Sequence, residues 1–172
     1  TGRRENPRSN GKETPNPSYY AAYADSACFW IESMSDFSQW SLRPELVEAI
    51  ASQGITEPTP IQQASLADIL AGTDVLAQAK TGSGKTAAFA ISLLNRLDES
   101  QYHTQALIVC PTRELAEQVA EEIRRLARGI PNVKTLTLCG GRPMGPQLAS
   151  LKRAPHIVVG TPGRLLKHLE KQ

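Results

Sequence analysis

From Asp74 onward the sequence alternates four times between a short apolar run and a longer stretch with apolar residues at helical spacing. The runs are "DVLAQA" (74–79), "QALIVC" (105–110), "VKTLTLC" (133–139) and "HIVVG" (156–160). The stretches after them cover Gly84 to about Leu97, "RELAEQVAEEIRRLARG" (113–129), "GPQLASLKRA" (145–154) and "PGRLLKHLEKQ" (162–172). Strands separated by helices cannot pair as hairpins, so each helix is a crossover between parallel strands. "QALIVC" has no polar alternation in its apolar part, as expected of a strand buried on both faces. The pattern predicts an α/β fold, a parallel sheet flanked by helices on both faces. Two further helices precede it. "SLRPELVEAIASQG" (41–54) offers Ser41 as a cap and Gly54 as a stop. "TPIQQASLADILAG" (59–72) offers Thr59 as a cap, Pro60 at the first helical position and Gly72 as a stop.

Between the first strand and its helix lies "AKTGSGKT", the residues Ala79, Lys80, Thr81, Gly82, Ser83, Gly84, Lys85 and Thr86. A glycine-rich turn from a strand into a helix is the context of a phosphate loop. Gly82 and Gly84 stand where backbone N–H groups must face phosphate oxygens, and a Cβ there would obstruct the approach or the dihedrals. The helix start adds unpaired N–H groups and a positive dipole end. Lys85 is suited to the β- and γ-phosphates and Thr86 to Mg²⁺, so these two are the candidate catalytic residues, and Thr86 the candidate metal ligand. The first position of the general pattern, usually glycine, is Ala79. The alternative is a glycine-rich turn with an exposed lysine.

Composition excludes several other classes. The 172 residues suit one domain. No apolar run reaches the length of a membrane span, and the polar opening "TGRRENPRSNGKETPNPSYY" is no signal peptide. Cys28, Cys110 and Cys139 form no Cys-x-x-Cys pair, and His103, His156 and His168 are scattered, so neither a disulfide framework nor a zinc site is indicated. Small buried thiols in a reducing, cytoplasmic compartment are the expectation. Charge is divided along the chain. Residues 34–123 hold five bases and twelve acids, whereas residues 124–172 hold ten bases and one acid, Glu170. So basic a segment suits a polyanion partner, or else a solvated helix face balanced by the acidic segment. Residues 1–33 are rich in Pro, Asn, Ser and Gly and read as a disordered or extraneous extension, with Met34 a natural start.

Further stretches surround the phosphate loop in a fixed order. "GITEPTPIQ" (54–62) precedes it, with Phe37 upstream. "PTRELAEQ" (111–118), the doublet Gly140–Gly141 and "TPGRLL" (161–166) follow the second, third and fourth strands. Over about residues 36–172 this series resembles the DEAD-box ATP-dependent RNA helicases: their Q motif, motif I, motif Ia, GG doublet and motif Ib. The wording "QAKTGSGKTAAF" with "LCGG" is similar to the bacterial DbpA branch of that family.

The resemblance implies a partial RecA-like P-loop domain that binds ATP and Mg²⁺. Gln62 would read the adenine edge through an amide that both donates and accepts. Thr59 and Pro60 would place that loop, and Phe37 would pack near the base. Ile55 departs from the aromatic residue frequent at its position, which weakens stacking. Pro111, Thr112, Arg113 and Glu114, then Gly140, Gly141 and Arg142, then Thr161, Pro162, Gly163 and Arg164, would hold the RNA sugar-phosphate backbone at the C-terminal end of the sheet. Alternatives stay open: a solvated glutamine for Gln62, and for Arg113 an ion pair with Glu114 or Glu117. Arg142 and Lys152 are weaker candidates, and "EEIRRLAR" reads as a solvated helix face.

No Asp-Glu-Ala-Asp run occurs in the sequence. The resemblance therefore implies the N-terminal part of the domain, residues 34–172, truncated before that motif. The Ser-Ala-Thr motif, the second RecA-like lobe and the C-terminal RNA-binding domain would lie outside it. One absent strand belongs beside the phosphate-loop strand, so an exposed sheet edge is expected. The implied function is ATP-dependent RNA unwinding or remodelling in ribosome assembly, with RNA, including ribosomal RNA, as partner and no membrane. These residues alone are expected to be inactive. The alternatives are a non-catalytic nucleotide- or nucleic-acid-binding fragment, or another P-loop helicase.

Overall fold

The computed structural model describes residues 22–23 and 36–171. Most of the segment read as an extension, with Met34, lies outside them. Six α-helices are described: α1 (Pro44–Ser52), α2 (Pro60–Ala71), α3 (Lys85–Arg96), α4 (Arg113–Leu126), α5 (Met144–Leu151) and α6 (Pro162–Leu169). The strands are β1 (Ala22–Tyr23), β2 (Ala77–Gln78), β3 (Ala106–Val109), β4 (Thr135–Leu138) and β5 (Ile157–Gly160). All pairings are parallel. β1 pairs with β2, and β3, β5 and β4 form a sheet in that order.

β5 is central, and all four of its residues are buried. It is the continuous apolar strand in full, covered on both faces. β3 differs. Ala106 and Ile108 pack against the core, while Leu107 and Val109 are 60% and 54% exposed. The "QALIVC" run was expected to be buried on both faces, and the described residues cover only one. The side of β3 away from β5 carries no strand among the described residues. A groove of about 630 Å³ runs there, reaching Leu76 beside β2 and Val109 and Cys110 at the end of β3. This is an open edge of β3, whereas β2, the strand before the phosphate loop, pairs with β1.

The core gathers Leu46 and Ile50 of α1, Leu66 of α2, Ile91 and Leu94 of α3 and Ile123 and Leu126 of α4 against Ile157 and Val159. α4 has the clearest amphipathic pattern: Ala116, Val119, Ala120, Ile123 and Leu126 are buried at i, i+3 and i+4 spacing. Local signals shifted at several ends. α1 is capped at Arg43, not Ser41, because Arg43 N–H donates to Asn95 Oδ1 at 2.8 Å and its guanidinium meets Glu99 at 2.9 Å. These bonds fix the start of α1 to the far end of α3. β2 keeps two residues of the six in "DVLAQA". α4 ends at Leu126 with its cap at Ala127, two residues before the glycine expected to stop it.

Register positions the loops. Val109, Gly160 and Leu138 are level across the sheet. Cys110–Pro111, Thr161 and Cys139–Gly140 therefore leave neighbouring strands side by side, at a strand spacing of about 4.8 Å. Gly160 allows this close approach. A Cβ there would come within 2.8 Å of Leu138 O and 2.9 Å of a Leu165 methyl on α6.

Candidate nucleotide and nucleic-acid site

The phosphate loop joins β2 to α3. Gly82 (φ 80°) and Gly84 (φ 91°) are in the left-handed region, where a side chain is strained. Nothing lies within 4 Å of a Cβ built on Gly82, so that side of the loop is open. Lys85 turns back into the loop. Its ammonium donates to Ala79 O, to Lys80 O at 2.7 Å and to Ser83 Oγ at 3.4 Å. The first N–H groups of α3 have no partner within the helix. Together these form a cradle for an anion. Thr86 lies in the same first turn, half-buried. Lys80 and Thr81 are exposed on the loop. A single hydroxyl suits Mg²⁺, which takes most of its ligands from water and substrate phosphates. No cluster of three or more metal-capable His, Cys, Asp or Glu side chains occurs among the described residues.

Gln62 is 2% exposed, which removes the solvated-glutamine alternative. Its Oε1 accepts from Thr59 N–H at 2.9 Å, and its Nε2 donates to Gly84 O at 3.1 Å. The amide thus ties the start of α2 to the last glycine of the phosphate loop. A Cβ on Gly84 would sit 2.6 Å from Gln62 Nε2 and 2.9 Å from Thr59 Oγ1. The second of these atoms is buried with no hydrogen-bond partner. Glycine at 84 is therefore required twice, for its dihedral and for this contact. Pro60 opens α2. Phe37 is buried in the core with its ring tilted against Trp40, centroids 5.9 Å apart, and Ile55 packs against the same cluster.

At the other three loops, Thr112 caps α4 by accepting from Leu115 N–H at 3.2 Å. Arg113, the first residue of that helix, lays its guanidinium over the glycine doublet. A Cβ at Gly140 would come within 3.3 Å of it, and one at Gly141 would overlap it. Gly141 also has φ 81°. The ion-pair alternative for Arg113 goes instead to Arg142, which meets Glu117 at 3.1 Å. Arg164 Nη2 donates to Arg142 O at 2.8 Å, linking α6 to the doublet's loop. Pro111, Glu114, Pro162 and Gly163 are exposed around this surface, and Thr161 is half-buried at its floor. A concavity of about 320 Å³ opens between Arg113, Gly140, Thr161 and Arg164. Its rim includes Lys167, three residues beyond Arg164 on α6. Sequence reasoning passed over Lys167, although its place in the basic segment one helical turn from Arg164 was a usable signal.

The two halves of the site adjoin. Lys85 and Thr86 share the groove beside β3 with Val109, Cys110 and Leu115. Cys110 and Cys139 are free, and burial pushes both thiols up from their usual range, so they are packing groups rather than nucleophiles.

Comparison with known proteins agrees with this geometry. The DEAD/DEAH box helicase family profile matches residues 59–172. The ATP-dependent RNA helicase DbpA of Escherichia coli (strain K12) is 60% identical over 130 residues, which are 76% of this chain and 28% of that protein. The ATP-dependent rRNA helicase RRP3 of Candida glabrata is 46% identical over 138 residues, 80% of this chain and 28% of that protein. The chain thus spans about 28% of the length of these curated relatives. The crystal structure of a DEAD box protein from the hyperthermophile Methanococcus jannaschii superposes with a TM-score of 0.75 at 41% identity, covering 80% of this chain and 38% of that one. The fold is that of a RecA-like helicase domain. No described helix is long and apolar enough to cross a membrane.

Proposed function

Because this chain belongs to the DEAD/DEAH box helicase family, we propose that it forms the nucleotide-binding and RNA-contacting part of an ATP-dependent RNA helicase. One observation carries the reading. The level register of β3, β5 and β4 sets three phosphate-compatible loops side by side, and the end of β3 shares a groove with Lys85 and Thr86. In this reading Lys85 and the N–H groups at the start of α3 hold the phosphates of ATP, and Thr86 offers its hydroxyl to Mg²⁺. The ion supplies charge neutralisation at the phosphates. Gln62 reads the adenine edge while braced on Gly84 O. Arg113 and Arg164, with the hydroxyl of Thr161 and the N–H groups at the start of α6, grip the RNA backbone.

Unwinding belongs to the complete protein, in which a second RecA-like lobe and an acidic motif on a further strand act with these residues. The RNA we propose is ribosomal, in the setting of ribosome assembly, on the strength of likeness to a protein named an rRNA helicase. A reducing, cytoplasmic setting suits the two free, buried thiols.

The reading is tested on RNA of unrelated sequences. Arg164→Ala should weaken all of them about equally and lower the slope of log affinity against log salt by roughly one phosphate contact. Loss confined to one base sequence would instead mean base readout and overturn the backbone grip.

A further inference from the structure

α5 and α6 are held to the sheet in an unusual way. Each has one buried side chain, and in both it is polar: Gln147 in α5 and His168 in α6. They are 6% and 4% exposed. The apolar residues Leu166 and Leu169 of α6, by contrast, are 58% and 65% exposed. The two buried residues meet each other. His168 Nε2 lies 2.9 Å from Gln147 Oε1, and Gln147 Nε2 donates to Cys139 O at 3.1 Å. Cys139 is the residue before the glycine doublet.

The chain of bonds has one polarity. A carbonyl only accepts, so Gln147 presents Nε2 to Cys139 and its oxygen to the histidine. His168 must then be the Nε2–H donor, with Nδ1 unprotonated. Nδ1 is buried and has no partner. A second proton there would be an unpaired donor on a buried cation, which the structure disfavours. Burial, followed by the charges of Arg164 and Lys171, holds the histidine below its ordinary pKa.

The location matters. Arg164 is one helical turn before His168 on α6, and it is bonded to Arg142 O on the far side of the doublet. Two ties therefore span Gly140–Gly141, an exposed one at Arg142 and a buried one at Cys139. Arg113 rests on the glycines between them. We infer that Gln147 and His168 are positioning residues for the RNA-contacting surface: their buried bridge locks α6 to the glycine doublet and so sets Arg164 and Arg113 at one spacing. The inference rests on the RNA reading of this surface, since neither side chain reaches the surface itself.

The test uses the full chain and a fluorescent single-stranded oligouridylate. His168→Leu keeps the volume and removes the donor, stranding Gln147 Oε1. It should raise the dissociation constant for RNA about 10-fold, the scale of one buried hydrogen bond lost with its partner unsatisfied. Binding of a fluorescent ATP analogue should be unchanged. His168→Gln carries a nitrogen donor at similar reach and should restore most of the RNA affinity. Long-range ¹H–¹⁵N correlation of wild-type histidine should show the Nε2–H tautomer. RNA binding by His168→Leu equal to wild type would overturn the inference, and so would an Nδ1–H tautomer, even if that variant failed to fold. Absence of RNA binding by wild type would overturn the surface reading, and this inference with it.

Discussion

Gln62 shows how much a single side chain does in this site. The resemblance of "TPIQ" marks its amide as a candidate base reader, but nothing in the sequence marks its bond to Gly84, because 22 residues separate the two. Each end of the amide makes one bond within the protein, with Thr59 N–H and with Gly84 O, which leaves a second N–H and a second lone pair for a base. Gln62→Ala therefore removes a brace of the phosphate loop as well as the proposed base reader. The variant should lose roughly 1 kcal/mol of stability, from two partly buried groups left unpaired. It should also lose its preference for ATP over GTP, because guanine presents O6 where adenine presents N6–H₂. Denaturant unfolding and competition between the two nucleotides check both halves. Equal stability, or an ATP preference that survives the substitution, would contradict this role. The same limit on sequence reading explains Arg113. The arginine and the doublet are both plain in the sequence, but their contact depends on a β3–β5–β4 register that no local pattern encodes.

Elements were the easiest scale to anticipate. All of the helices read from residue 41 onward are present, and so is each strand from "DVLAQA" onward, though as two residues in that first case. Their ends were harder, because distant groups decide them: Asn95 and Glu99 draw the cap of α1 to Arg43. α5 and α6 match the helical stretches read in "GPQLASLKRA" and "PGRLLKHLEKQ". Their anchors escaped notice because a glutamine and a histidine in amphipathic stretches look like solvent-facing positions. That anchoring makes α6 sensitive to pH. His168 is held below its ordinary pKa by burial first, then by Arg164 and Lys171. The folded chain then binds fewer protons at this site than the unfolded chain does. Its contribution to stability is complete above the unfolded value of 6.5 and declines as pH falls from there through the folded value. Urea unfolding of wild type beside His168→Gln, at several pH values across this window, should show a steeper decline in wild type. Parallel curves would contradict it.

For the whole molecule, the alternation of strand and helix pointed to the fold, while the strand order had to come from the structure. Helix α4 carries the chain over the place where β5 later inserts, so β3 and β4 are not neighbours. The groove beside β3 brings Lys85 and Thr86 close to an unpaired edge with exposed Leu107 and Val109. Residues 1–172 contain no Asp-Glu-Ala-Asp run to hold Mg²⁺ on its far side or to orient water. A polypeptide of these residues alone should therefore release no phosphate from ATP above its own Lys85→Ala variant, with or without RNA. Turnover above that background would mean that the residues described here suffice for hydrolysis. Binding, however, should be intact, because Ala79–Thr86 is proposed as the ATP phosphate loop. The direct measurement is a calorimetric titration of wild type and Lys85→Ala with ATP and Mg²⁺. Wild type should bind saturably at one site per chain, and the variant should lose that binding. The same affinity in both proteins would contradict that proposal.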